Sequence, residues 1–399
     1  MGDSPLISDP LEALEAARLA FEGADDLTMA VEEEFAILDP ATLEMTSGYD
    51  RLAAAAADVP GLVGMTAGEL IRSEIEIKTG RCESFAEAAD AMARRRIDLV
   101  DVAAAQGFRL CAAGTHPWSR WQDQEVIDTP HYHIVESTLR YVAWRNNTFG
   151  IHVHTGIRGA DRAIAVNNAL RSVLPELLAA SCSSPWLEGR HTHLQSTRTQ
   201  IFTRFFPRCG VPDAFDGWAE YDRFVRFLIA TRSIREHTEI WWSVRPHQAF
   251  PTVEVRICDA QPEFSRAVAL AGLMTALSAH YARGFDEGRP LPAHAHRMIE
   301  ENLWRAIRWG MTGELIDLDA GVAVSARARL EALVEEVSDV ASELGIAPYL
   351  APLSEPSAGE VYGAELEAGA TVEEVWPRAV ERTRESVVEW LSVREEGTG

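Results

Sequence analysis

The sequence lacks the features that mark several large classes of protein. Its five cysteines are odd in number and scattered, with no C-x-x-C pair, so neither a disulfide framework nor a zinc ribbon is expected. No apolar run reaches the roughly 18 residues of a membrane-spanning helix. The N-terminal segment is acidic and precedes no apolar stretch, so we expect no signal peptide and predict a cytoplasmic location.

Nucleotide-binding and hydrolase signatures are missing as well. The chain has no G-x-x-x-x-G-K-[ST] loop, no G-x-G-x-x-G after a strand and no G-x-S-x-G elbow. A protein of this sequence that handled phosphate would therefore bind it with metal ions and arginines rather than with a glycine cradle.

The chain does have abundant acidic charge and enough apolar residues for a large core. It has 399 residues, 47% of them hydrophobic, and a formal net charge of −24. That field repels nucleic acid and anionic membranes, so neither is an expected partner, although a local basic pocket could still bind a small anion. We expect a homodimer, only because it is the commonest oligomer among soluble proteins.

The order of the predicted elements indicates an α+β fold. We predict an N-terminal helical extension over 1–26 and a single domain over 27–395, rich in strands over 29–260 and helical over 264–395. The predicted helices are 9–22, 84–106, 130–145, 160–181, 219–237, 264–284, 292–309, 323–344 and 371–394. The segment 191–216 is predicted to be an irregular loop, and the run 94–96 of three arginines is expected to face outward.

Three apolar, β-branched stretches place charged or imidazole groups two residues apart. In a strand such residues share a face, about 6.6 Å apart along the chain. In the first stretch Glu32 and Glu34 share one face, whereas Glu33 lies on the other with Val31 and Phe35. Acidic groups inside a strand repel one another unless a cation neutralises them, so Glu32 and Glu34 are candidate ligands of a divalent metal ion.

The second of these stretches, with His152 and His154, and one additional strand add candidate metal ligands. Glu74 and Glu76 share the polar face of a strand over 71–78, although an exposed face paired with neighbouring cations would give the same pattern. His152 and His154 point one way from a strand over 151–156. Three other H-x-H pairs lack a strand context: 131/133, 191/193 and 294/296. The pair 191/193 lies in the predicted loop and could meet a substrate.

The third stretch pairs a carboxylate with a guanidinium. Glu254 and Arg256 alternate with Val253 and Val255, which predicts either a salt bridge along one face or a metal ligand beside a phosphate-binding arginine. Further candidates for binding a phosphate or a substrate carboxylate are Arg198, Arg204 and Arg245.

Taken in order, these segments resemble the glutamate–cysteine ligase type 2 family, the bacterial carboxylate–amine ligases. The resemblance rests on 31–35, 114–117, 146–154, 183–186, 243–246, 254–259 and 301–305. That family is similar in fold to the catalytic domain of glutamine synthetase and of guanidino kinases. The expected fold is therefore an antiparallel β-sheet funnel packed by helices, with ATP at one end and the amino acid at the other.

The resemblance also implies site residues and an activity. It implies Mg²⁺ or Mn²⁺ ligands at Glu32, Glu34, Glu76, His152 and Glu254, with Glu74 competing for the place of Glu76, and a phosphate-facing Arg256. The implied reaction is ATP-dependent formation of an amide from small amino-acid substrates through an acyl phosphate, with glutamate and cysteine as the family's pair. A base must accept the proton of the amine, and His154 is a candidate.

Three other functions stay open from the residues alone. A guanidino-type phosphotransferase of the same fold would transfer phosphate and form no amide. A metallohydrolase with the same ligand types would turn over without ATP. A metabolite-binding protein without activity is disfavoured, because drift would have removed some of the charged groups.

Overall fold

The computed structural model describes residues 10–397, and its order of elements is that of a mixed α+β protein. The helices are α1 (Pro10–Glu22), α2 (Tyr49–Ala56), α3 (Phe85–Ala105), α4 (Pro130–Leu139), α5 (Tyr141–Trp144), α6 (Ala160–Arg171), α7 (Leu174–Ser181), α8 (Thr197–Phe205), α9 (Trp218–Ala230), α10 (Phe264–Asp286), α11 (His296–Trp309), α12 (Ala326–Glu336), α13 (Ser338–Glu343), α14 (Ala358–Glu367) and α15 (Val372–Gly397). The strands are β1 (Met29–Leu38), β2 (Thr66–Ala67), β3 (Glu74–Lys78), β4 (Arg109–Cys111), β5 (Ile151–Gly156), β6 (Trp186–Leu187), β7 (Arg190–His191), β8 (Cys209–Gly210), β9 (Trp241–Trp242), β10 (Val244–His247), β11 (Thr252–Val255), β12 (Glu314–Asp317) and β13 (Val322–Ser325).

A seven-stranded sheet organises the fold. Its order is β10-β11-β5-β1-β3-β2, with β4 also pairing with β1, and all of these pairs are antiparallel. The long strand β1 lies at the centre, so its side chains have neighbours on both sides. The antiparallel sheet and the α+β class confirm the predicted fold class.

One face of the sheet is apolar and packs on helices. Val31, Ile75, Val153 and Val255 are buried on this face, one from each of four neighbouring strands. The helix α10 is buried along most of its length and packs against β5. Because side chains alternate along a strand, the polar residues between these apolar ones lie on the opposite face of the sheet.

The helical predictions are correct in outline, but three segments differ, and the first of them, 130–145, is divided into α4 and α5 at Arg140, which has φ of 51°. The segment 160–181 forms α6 and α7 rather than one helix, and the start of 323–344 is strand β13, which pairs with β12 in a hairpin that the sequence patterns did not indicate. The first residue of the predicted helix 9–22 lies outside the described residues, as does the start of the extension 1–26. The boundary between that extension and the domain stays a prediction.

The predicted loop over 191–216 was wrong in its middle, where the structure has α8. The side chain of Ser196 accepts a hydrogen bond from the backbone N–H of Thr199 and caps the first turn. Threonine and phenylalanine have low intrinsic helix propensity, which hides this helix from sequence patterns. Tertiary contacts override that preference, because Thr197, Arg198 and Ile201 are buried.

The outward orientation predicted for the three arginines at 94–96 was wrong for Arg96. Its side chain is fully buried, and a guanidinium N–H lies 3.3 Å from a carboxylate oxygen of Glu33. The guanidinium also lies 5.3 Å from the ring centroids of Phe35 and Phe264. Glu33 therefore does face away from Glu32 and Glu34, as its strand position predicts, and it pairs inside the core.

Among the described residues, none of the helices has both the length and the apolar character needed to cross a membrane.

Candidate metal and phosphate site

The polar face of the sheet carries rows of charged side chains that strand pairing places side by side. Glu32 on β1 is directly opposite Lys78 on β3 and His152 on β5, and Glu34 is opposite Glu76. Directly paired residues in an antiparallel sheet have Cβ atoms about 5 Å apart, within reach of long side chains. The register of β1 therefore determines which groups meet.

A second row continues the site across the next strands. Glu254 on β11 is opposite both His154 on β5 and Arg245 on β10. The Nε2 atom of His154 lies 3.7 Å from Glu32 and 3.8 Å from Glu254, so the two rows are in contact.

His152 joins two sets of potential metal ligands. Its Nδ1 atom lies 3.5 Å from Glu32 and its Nε2 atom lies 3.6 Å from Glu34. Glu32, His152 and Glu254 have ligand atoms within 4.8 Å of one another, and so do Glu34, Glu76 and His152. The structure thus brings together all five residues for which metal ligation is predicted.

Glu74, the competitor of Glu76, lies next to these sets but in neither of them. It is buried, and its Oε2 atom has no hydrogen-bond partner among the described residues. A buried carboxylate oxygen without a partner is costly, so a cation near it would relieve the cost.

A further acid, Glu69, completes the group and had no signal in the sequence. It lies in the irregular segment after the short strand β2, without strand alternation that could reveal its direction. We call Glu32, Glu34, Glu69, Glu74, Glu76 and Glu254 the carboxylate cluster.

Two members of the cluster are held ionised by neighbouring groups. Burial opposes ionisation of Glu32, yet hydrogen bonds from His152 and His154 hold its pKa well below the ordinary value. Burial acts on Glu254 in the same way, and the guanidinium groups of Arg245 and Arg256 hold its pKa well below the ordinary value. Both carboxylates are anions at neutral pH.

Burial and neighbouring carboxylates disfavour ionisation of three further members, Glu69, Glu74 and Glu76. Burial and the charge of Glu34 raise the pKa of Glu74 well above its ordinary value, and burial and the charge of Glu32 do the same for Glu76. Burial, followed by the charge of Glu34, raises the pKa of Glu69 to about 7. Added positive charge would restore ionisation, and oxygen-rich ligands of this kind suit Mg²⁺ or Mn²⁺.

Three cations already border the carboxylate cluster. Arg245 on β10 donates to Glu254 over 2.7 Å, and Arg256, two residues after Glu254, donates to the same carboxylate. The ammonium of Lys78 lies 3.2 Å from Glu76 and 3.9 Å from Glu32. Lys78 is the only lysine in the sequence, whereas arginine supplies every other basic side chain of this type.

The remaining predicted residues are placed differently. Arg198 is buried and donates to the backbone carbonyl groups of Arg256 and Ile257, so it stabilises the segment that follows β11. Arg204 forms an ion pair of 2.6 Å with Glu300 on α11. Their roles in binding phosphate or substrate stay predictions.

His154 is buried within the cluster rather than at its edge. Its Nδ1 atom is 3.0 Å from the hydroxyl of Thr252. Burial lowers the pKa of His154, but the charge of Glu254 together with the hydrogen bond and charge of Glu32 outweighs that effect, and the net shift is upward. Its role as the base that accepts a proton from the amine stays a prediction.

A buried aspartate organises the segment behind the site. Asp259 accepts hydrogen bonds from the hydroxyls of Ser184 and Ser196, at 2.7 and 2.8 Å, and from the backbone N–H of Ser183 at 3.1 Å. A guanidinium N–H of Arg198 is 3.9 Å from it. Asp259 therefore connects β11 to the start of α8.

Comparison with known proteins identifies the family of this chain. Residues 28–365 match the family described as glutamate–cysteine ligase family 2. The chain is 38% identical over 318 residues to a protein of Sorangium cellulosum, covering 80% of this chain and 84% of that protein. It is 35% identical over 370 residues to a protein of Rubrobacter xylanophilus, covering 92% and 94%. Their names, given provisionally, are glutamate–cysteine ligase 2 and 2-2.

Solved structures show the same fold at low sequence identity. The glutamate–cysteine ligase of Francisella tularensis, solved in complex with AMP, has a TM-score of 0.62 at 12% identity and covers 93% of this chain and 94% of its own. A bifunctional glutathione synthetase of Pasteurella multocida has a TM-score of 0.61 at 11% identity and covers 95% of this chain and 54% of its own. The match to the family over most of the chain and the identity to its curated members show that this protein belongs to glutamate–cysteine ligase family 2.

Proposed function

We propose that the protein is an ATP-dependent carboxylate–amine ligase that joins glutamate to cysteine through an acyl phosphate. The observation that carries the proposal is the pair of ligand sets that share His152, next to the guanidinium of Arg256. Names of relatives support the substrate pair, and the complex of the Francisella tularensis enzyme with AMP supports a nucleotide.

The residues present fit a divalent metal. Glu32, His152 and Glu254 would hold one Mg²⁺ or Mn²⁺ ion, and Glu34 and Glu76 with the same histidine would hold another. Such ions, when bound, neutralise the charge of the nucleotide phosphates. The orphaned Oε2 atom of Glu74 and the raised pKa of Glu76, caused by burial and Glu32, are what an ion would relieve.

The proposed reaction needs an activated carboxylate because oxide is a very poor leaving group. A carboxylate oxygen of glutamate attacks the γ-phosphorus of ATP, and ADP leaves. The amine nitrogen of cysteine then attacks the acyl phosphate, inorganic phosphate leaves, and a base accepts the proton of the amine.

The chain's own residues would orient the phosphoryl group. The guanidinium of Arg256 is anchored to Glu254 and lies 3.5 Å from Nδ1 of His152, so it borders both ligand sets. Arginine keeps its charge at any pH and presents several donors in a plane, which suits phosphoryl oxygens. Arg245 fixes the opposite oxygen of Glu254 and keeps that carboxylate in place.

The test measures phosphate release and amide formation with Mg·ATP, glutamate and cysteine. We expect both products in equal amounts, and a loss of about 100-fold or more in Glu34→Gln and in Arg256→Ala. Matched controls are Glu331→Gln on α12 and Arg94→Ala on α3, which change exposed side chains. Wild-type activity in Glu34→Gln or Arg256→Ala would contradict the site.

The same assay separates the alternatives. ADP formed with a guanidino acceptor, without phosphate release or amide, would indicate a phosphotransferase. Turnover without ATP would indicate a metallohydrolase. Phosphate and amide from another amino-acid pair alone would keep the ligase and overturn the choice of substrates.

A further inference from the structure

A third group of metal-ligand side chains lies outside the carboxylate cluster. His191 at the end of β7, His193 in the following turn and Glu367 at the end of α14 have ligand atoms within 4.8 Å of one another. Glu367 is far from the two histidines in sequence, so folding brings two separate segments together here.

The backbone conformation at His193 brings the two imidazole rings close together. His193 has φ of 58°, in the left-handed region that is uncommon for residues other than glycine. In an extended strand, side chains two residues apart are separated by about 6.6 Å along the strand. The turn brings their centroids to 4.2 Å, with a tilt of 45° between the ring planes.

Both segments are fixed by hydrogen bonds, so the arrangement does not depend on free loops. The N–H of Thr192 donates to the carbonyl of Pro185 over 2.9 Å, and Arg308 donates to the carbonyl of His193. On the other side, the N–H of Gly359 at the start of α14 donates to the carbonyl of Cys182 over 2.8 Å.

Charged side chains of both signs lie close to the two imidazoles. The guanidinium of Arg308 opposes a cation nearby, and the exposed carboxylate of Glu367 offsets it.

We propose that His191, His193 and Glu367 form a zinc site that joins the β6–β7 hairpin to the end of α14. Two imidazoles and one carboxylate suit Zn²⁺, with a water molecule as the fourth ligand, whereas Mg²⁺ prefers oxygen ligands alone. The hairpin lies between Ser184 and Ser196, whose hydroxyls donate to Asp259. A bound zinc ion would therefore brace the segment that packs against Asp259, next to the candidate active site. This site is independent of the proposed ligase activity.

The test titrates Zn²⁺ into the full-length, EDTA-treated protein in the presence of excess Mg²⁺, which occupies oxygen-rich sites. Calorimetry gives the affinity, elemental analysis gives the stoichiometry, and Co²⁺ in place of zinc gives a visible spectrum for a tetrahedral nitrogen and oxygen site. The variants are Glu367→Gln and His193→Asn, because asparagine tolerates positive φ. The matched control is His133→Asn, an exposed histidine from another H-x-H pair.

We expect the wild type and His133→Asn to bind equal numbers of Zn²⁺ ions, one more than either site variant at the same zinc concentration, and this additional ion raises the unfolding temperature. Both site variants should bind at least about tenfold more weakly, since loss of an outer-shell partner alone costs about 10- to 100-fold. Their unfolding temperatures in EDTA should match the wild type, which shows that they fold. Zinc binding that is absent from the wild type, unchanged in Glu367→Gln and His193→Asn, or equally weakened in His133→Asn would overturn the proposal.

Discussion

Replacing Glu69 with glutamine should stabilise the metal-free protein. The pKa of Glu69 is raised to about 7, by burial and then by the charge of Glu34, from an ordinary value of 4.5. A carboxyl whose pKa is raised on folding contributes stability below pH 4.5 and loses it as the pH rises through about 7. At pH 8 the wild type therefore carries an ionised group that the fold disfavours, and glutamine at this position removes it.

The magnitude follows from the size of that shift. Each pKa unit corresponds to about 1.4 kcal/mol, so the upper bound is about 3 kcal/mol. Neighbouring glutamates share the protons, and glutamine leaves a polar group to be satisfied, which reduces the expected gain to about 1–3 kcal/mol. For a chain of this length that gain corresponds to an increase of roughly 1–4 °C in the unfolding temperature.

The assay is thermal unfolding in EDTA from pH 4.5 to 8.5, with Glu331→Gln on α12 as the control for an exposed glutamate. The stabilisation of Glu69→Gln should be absent near pH 4.5, grow as the pH rises and level off above about 7. Saturating Mg²⁺ should stabilise the wild type more than the variant. A variant less stable than the wild type at pH 8, or a difference that does not change with pH, would refute the reasoning.

Three further substitutions test other parts of the structure. Arg96→Met leaves Glu33 buried without its partner and should cost about 3–5 kcal/mol in unfolding free energy by denaturant titration, with much of the loss recovered in the double variant with Glu33→Gln. Gly150→Ala places a Cβ atom 2.2 Å from the buried guanidinium of Arg198, so we expect reduced expression and a cost of about 1–3 kcal/mol, and unchanged stability would contradict the packing. Lys78→Arg keeps the charge but not the compact ammonium, and should lower kcat/KM about tenfold or more with an unfolding temperature near that of the wild type; full activity would show that charge alone suffices.

Much of the site could be predicted from local sequence because strand alternation determines which side chains share a face. Glu32 and Glu34 point opposite to Glu33, and Glu254 points with Arg256, as their spacing predicts. A strand with one apolar face has little choice of register, so these directions follow from neighbours in the sequence.

The rest depended on contacts between distant segments. Arg96 is buried because Glu33 lies across the core from it, and an arginine triplet on an otherwise alanine-rich helix gives no sign of such a partner. The helix α8 forms from residues of low helix propensity because its first turn is capped and buried. Glu69 enters the cluster from an irregular segment, where no periodicity indicates the direction of a side chain.

The alternation of three successive acids in β1 also limits how the gene can change. Deleting or inserting one codon within this strand would exchange its two faces, turning Glu33 toward the cations and burying Glu32 and Glu34 against the helices. Two carboxylates would then face apolar packing with only Arg96 to pair with them. A point substitution in β1 changes one side chain, whereas an insertion or deletion of one residue there would disrupt the core and the candidate site together. Members of this family that differ in length should therefore have their insertions in the loops.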